Sequence, residues 1–126
     1  MATIELNEQN LEKTIVENDI VIIDFWAPWC GPCKNLAPIF EEVSEKHGDI
    51  VFAKVNTEEE QAIAAHFQIR SIPTLMVFRE QIVLFSEAGM LPESALEQLV
   101  KQVKELDMET VRAEIAAAEA EAGNKA

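Results

Sequence analysis

Cysteine is scarce in this 126-residue chain, which holds only Cys30 and Cys33. A framework of several disulfides is therefore excluded, and a reducing compartment fits. Basic residues are also few, ten Lys and Arg against 23 Asp and Glu, for a net charge of −13. Nucleic-acid affinity rests largely on Lys and Arg displacing counterions, so a phosphate backbone is a poor partner, and an anionic membrane surface is equally disfavoured. No apolar run approaches the roughly 18 residues needed to span a bilayer. The longest, from Ile20, breaks at Asp24. The opening Met1-Ala-Thr-Ile-Glu-Leu-Asn-Glu has neither the basic start nor the apolar stretch of a secretory signal. The expectation is a cytoplasmic monomer. Its length suits one domain rather than separate cofactor and substrate lobes, and an apolar share of 48% is enough for a core.

The most apolar segment, Ile20-Val-Ile-Ile-Asp-Phe-Trp26, is β-branched and nearly continuous, the pattern of a central strand covered on both faces. Further strands are expected at Thr3 to Leu6, Ile50 to Asn56, Thr74 to Phe78 and Ile82 to Ser86. The last two form a hairpin across Arg79-Glu80-Gln81, a turn without the usual Gly or Asn. Helical spacing links Leu11 to Val16 and the set Leu36, Ile39, Phe40, Val43 and His47, with Pro38 expected to kink the second helix. Thr57 and Glu60 fit a capping box for a short helix through Ile63 and Phe67. Pro92 opens another helix, with Leu96, Leu99, Val100, Val103 and Leu106 on one stripe. The order β-α-β-α-β-α-β-β-α predicts an α/β fold, a central mixed sheet with helices on both faces.

Cys30 and Cys33 directly follow the central strand, at the start of the next helix. Residues three apart on a helix lie roughly 5–6 Å from one another, within the Cα separation of about 4.4–6.8 Å that a disulfide requires. Closing so small a loop removes little chain entropy, on the order of 2 kcal/mol, so the bridge is a weak staple. As a reversible two-electron switch it is well placed, because a helix N-terminus stabilises a thiolate through its free N–H groups and dipole. Between Phe25 and Phe40 there is no acid and one base, Lys34. Cys30, expected nearest the loop and solvent, is the candidate attacking thiolate, and Cys33 the resolving one. A structural zinc site would need about four ligands. The only other soft ligands, His47 and His66, lie far apart and without a second pair, so no metal is expected.

Trp29-Cys30-Gly31-Pro32-Cys33-Lys34, preceded by Asp24-Phe25-Trp26-Ala27 and followed downstream by Ile72-Pro73-Thr74, resembles the thioredoxin family. The likeness runs in element order from residue 4 to about 106 and implies the thioredoxin fold. It implies a protein-disulfide reductase with no bound cofactor, active in cell redox homeostasis and electron transport. Its partners would be disulfide-containing proteins and a flavin-containing thioredoxin reductase supplying electrons from NADPH. This chain has no Gly-rich dinucleotide loop of its own.

The same likeness assigns supporting residues. Asp24 interrupts an apolar strand, where burial should raise its pKa. The family implies that it handles the proton of Cys33 through a water, the alternative being a purely structural buried Asp. Lys54, on the neighbouring strand, either offsets the charge of Asp24 or is a solvated strand lysine. The family places a cis peptide at Ile72–Pro73, facing the cysteines, with the substrate backbone pairing at Ile72. Gly31 permits close approach of a partner backbone, and Pro32 fixes φ and, by resemblance, favours reduction. Trp29 shields the sulfurs and contacts partners, whereas Trp26 fits core packing equally well. Gly89 either lets a substrate lie flat beside the site or is a plain turn glycine. Glu58-Glu59-Glu60 reads as a solvated helix start. Neither histidine nor any methionine suggests more than packing or surface.

The domain is expected to span residues 1–106, followed by an Ala- and Glu-rich helical extension over 107–126. Asp107 could cap that helix and Gly123 end it, with Met108, Val111 and Ile115 on a narrow apolar stripe. The stripe either packs back on the domain or a partner, or belongs to a solvated helix. A different class of function, a non-catalytic binding module or subunit using the same groove, is kept open because fold does not prove function.

Overall fold

The computed structural model describes residues 2–124, so the ends of the two expected segments at Met1, Lys125 and Ala126 lie outside the described residues. Five strands, β1 (Thr3–Glu5), β2 (Ile20–Trp26), β3 (Val51–Asn56), β4 (Thr74–Arg79) and β5 (Ile82–Ala88), form one sheet of order β1-β3-β2-β4-β5. β3 pairs in parallel with β1 and β2, and the β2–β4 and β4–β5 pairs are antiparallel. The expected mixed sheet is thus present, with the apolar β2 at its centre.

Alternation along β2 sends Ile20 and Ile22 to one face and Val21, Ile23 and Phe25 to the other, all buried. The first face packs on α2 (Gly31–Lys46) and α4 (Glu93–Glu105) through Leu36, Phe40, Leu96 and Val100. The second packs on α1 (Leu11–Glu17) and α3 (Gln61–His66) through Leu11, Ile15 and Ile63. Burial on both sides explains why β2 reads as a run rather than an alternation.

Several local expectations change. The capping box at Thr57 does not form. The Thr57 hydroxyl donates to the Trp26 carbonyl, Asn56 Oδ1 takes the Glu58 N–H, and α3 begins only after Glu60. A tertiary partner on β2 thus outcompetes the local cap. Pro38 lies inside α2, and Pro92 stands at the start of α4 as expected, as its N-cap residue. Leu106 ends that helix exposed, off the buried stripe, because the backbone turns extended there. His47 joins two helices by pairing with Glu97. In the hairpin, Glu80 and Gln81 both have positive φ, 50° and 69°, the conformation of a two-residue hairpin loop that Asn and Gly usually fill.

After Leu106 the chain forms α5 (Met108–Asn124), which continues through Gly123 rather than ending there. Asp107 caps it as expected, accepting from the Glu109 and Thr110 N–H groups and from the Thr110 hydroxyl. Met108 is buried and Val111 half-buried, Arg112 pairs with Glu80, and Ile115 is exposed. Among the described residues, burial along α5 is therefore confined to the first turns. The Arg79 guanidinium fastens the junction by donating to the carbonyls of Val103 and Leu106, each at 2.7 Å.

Candidate active site

The sheet delivers three segments to one end of β2. Directly after that strand, Cys30 stands at the N-cap of α2 and is bonded to Cys33 in a disulfide with the Cα atoms 5.3 Å apart. The Cys33 N–H donates to Cys30 Sγ at 3.2 Å, so a sulfur fills the role that an Asp or Ser oxygen usually has at a helix start. No acidic residue stands in the first turn of α2.

The loop before β4 forms the second wall. The Ile72–Pro73 bond is cis, and the Ile72 carbonyl lies 3.7 Å from Cys30 Sγ. Ala27 is buried with the two cysteines, and Trp26 and Ile72 pack against them. Exposure does not distinguish the two residues as expected: Cys30 is 4% and Cys33 3% accessible, with Trp26 and Ile72 packed against the pair. Their hydrogen bonds distinguish them instead. Gly89 supplies the third segment: its N–H donates to the Pro73 carbonyl at 2.8 Å, and its φ of +114° is one that side-chain-bearing residues rarely adopt.

On β2, two residues before Trp26, Asp24 is fully buried and sits opposite Lys54 in the β2–β3 register. Both of its carboxyl oxygens lack a hydrogen-bond partner among the described residues. Burial pushes its pKa up from 3.8 to about 7, with the Lys54 ammonium pulling the other way. Lys54 Nζ lies 4.8 Å from the centre of the Trp26 ring, a cation–π contact. Trp26 is thus part of the charged surroundings of Asp24 as well as packing on the cysteines. Gly31 has open space on its side-chain face, and Pro32 is exposed beside it.

Trp29 is 67% exposed, and its indole N–H donates to a Glu58 carboxylate oxygen. Sequence reasoning missed this use of Glu58. The contact joins residues 29 apart, and no local pattern announces it. A cavity of about 190 Å³ lies between Trp29 and the Ile72 segment, lined by Trp29, Thr57, Ile69, Arg70, Ser71 and Ile72. Arg70 was also missed, although its place two residues before Ile72 was a usable signal. Among the described residues no group of three or more His, Cys, Asp or Glu side chains could hold a metal ion. No described helix is long and apolar enough to cross a membrane.

The sequence profile of the thioredoxin family matches residues 2–102. The chain belongs to the thioredoxin family. A putative thioredoxin 2 of Streptomyces coelicolor is 47% identical over 122 residues, 97% of this chain and 91% of that one. A thioredoxin of Haemophilus influenzae is 39% identical, covering 79% of this chain and 94% of its own. Among solved structures, a mutant thioredoxin from Halobacterium salinarum superposes with a TM-score of 0.76 at 33% identity, covering 83% of this chain and 92% of the other. Plasmodium falciparum thioredoxin gives 0.73 at 35% identity, with 79% and 97% covered. The Streptomyces match extends past the profile into α5. With its cysteine pair at bonding distance, this member of the family is a thiol–disulfide oxidoreductase.

Proposed function

We propose that the chain is a cytoplasmic protein-disulfide reductase that carries electrons from a reductase to its targets as a monomer. The observation that carries this reading is the environment of Cys30 Sγ, which caps α2 by accepting the Cys33 N–H and lies 3.7 Å from the Ile72 carbonyl. In the dithiol form, that N–H and the positive end of the helix dipole favour a thiolate on Cys30.

The Cys30 thiolate attacks one sulfur of a target disulfide. A Cys30–target bond forms as the target's own S–S bond breaks, and the leaving sulfur departs as a thiolate that takes a proton from solvent. Cys33 then gives its proton to Asp24 through a water. The resulting thiolate attacks Cys30 Sγ, closing the intramolecular disulfide and releasing the second target sulfur. Two electrons have passed to the target. They are restored from NADPH through a thioredoxin reductase, so no cofactor resides on this chain.

A carboxyl group with a pKa near 7 exchanges protons readily at neutral pH, and Lys54 keeps that value from rising further. Trp29, held by Glu58, and the backbone at Ile72, Pro73 and Gly89 form the surface on which a target segment lies, with Gly31 and Pro32 leaving the approach to the sulfurs open.

The test is insulin reduction followed by turbidity with dithiothreitol as the final reductant. Acceleration over dithiothreitol alone is expected; its absence would leave only a binding role. Recycling of the oxidised form by a purified thioredoxin reductase with NADPH checks the electron source.

A further inference from the structure

The acid-rich composition makes an unpaired cation unusual here, and two of the unpaired cations belong to the segments around the disulfide, one next to Cys33 and one two residues before Ile72. Lys13, Lys46, Arg79, Lys104 and Arg112 each pair with a carboxylate, and Lys54 lies over Trp26. Among the described residues that leaves Lys34, Arg70 and Lys101 with no side-chain hydrogen bond or ion pair. Lys34 follows Cys33 directly and is exposed, and Arg70 lines the cavity shared with Trp29 and Ile72. The nearby Glu58 carboxylate accepts from the Trp29 indole N–H and makes no ion pair with Arg70. The first turn of α2 contributes no acid.

We propose that Arg70 and Lys34 select target disulfides carried in acidic sequence, by pairing with Asp or Glu side chains that flank the attacked cysteine. The proposal rests on the reductase reading and specifies its substrate class. A protein of net charge −13 repels acidic partners at long range, so two bare cations at the reacting sulfur provide attraction where it decides docking. Basic targets gain from the overall field but meet like charge at the site itself.

The experiment measures reduction of three disulfide-bonded peptide pairs of equal length, with Glu, Gln or Lys beside the cysteines. Each rate is divided by that with dithiothreitol alone, which removes the effect of the flanks on the leaving thiol. At about 20 mM salt the Glu-flanked pair should react roughly tenfold faster than the Lys-flanked pair, and at about 500 mM the preference should fall below about twofold. Arg70→Glu should reverse the order and Lys34→Glu weaken it. Lys101→Glu, the same change of net charge made on α4, should leave it as it was. Equal rates for the three pairs, or a Lys101→Glu effect as large as that of Arg70→Glu, would overturn the proposal while leaving the reductase reading intact. If none of the pairs is reduced faster than by dithiothreitol alone, the reductase reading itself fails.

Discussion

Among the described residues two helices start on a side-chain cap, and the caps differ in kind. At α5 the Asp107 carboxylate takes two backbone N–H groups and the Thr110 hydroxyl, a set of oxygen acceptors suited to holding a helix in place. These bonds hold the Asp107 carboxyl below the usual carboxylate range, Thr110 contributing most. At α2 a single sulfur takes one N–H. Sulfur is the weaker acceptor, but it is the atom that must leave and rejoin a covalent bond. One cap holds a helix in place, and the other keeps an atom available for reaction.

Exchanging the sulfur for oxygen separates those tasks most sharply. Cys30→Ser retains a capping side chain yet should abolish turnover in the insulin assay. Cys33→Ser should trap targets as mixed disulfides visible on a non-reducing gel. Normal multiple turnover by either variant would reverse the roles assigned to the two sulfurs.

Asp24→Asn comes next in size. The native state raises this carboxyl to about 7 from 3.8, so its contribution to stability is fully present below pH 4 and is lost as pH rises through 7. Relative to the parent, the variant should be equally stable near pH 4 and more stable by roughly 2–4 kcal/mol at pH 8, read by urea melts at the two pH values. Disulfide exchange near neutral pH should slow. A loss of stability at pH 8 would mark Asp24 as purely structural.

On the α5 side the effects are smaller and purely thermodynamic. Deleting residues 107–126 removes the buried Met108 and should lower the melting temperature by roughly 5 °C, whereas deleting 116–126 should leave it unchanged. Equal melting temperatures for both truncations would mean that α5 does not support the domain. Smallest of all, Glu58→Ala frees the Trp29 indole from a bond worth about 1 kcal/mol, and a red-shifted emission should accompany a rate loss of less than about threefold.

What could be read from the sequence follows from the range of the forces involved. β2, α2 and the cysteine pair were legible because periodicity and i,i+3 spacing are local. The Thr57 cap was misread because the Trp26 carbonyl, 31 residues away, takes its hydroxyl. Cys30 was expected near solvent, but Ile72, which packs against it, lies 42 residues on. The positive φ values at Glu80 and Gln81 follow from strand pairing rather than from residue preference. Asp24 was legible as a buried acid because a lone charge in a β-branched run has little alternative.

The rim strand β5 has a consequence for crowding. Val77 pairs with Phe85 and Phe78 with Val83, so Leu84 is an extra residue that bends the outermost row of amides. Edge strands are natural templates for fibrillar stacking, and a kinked rim offers no straight ladder to a second molecule. With Glu87 exposed near the end of the same strand, this edge of the sheet should resist self-assembly even at high protein concentration.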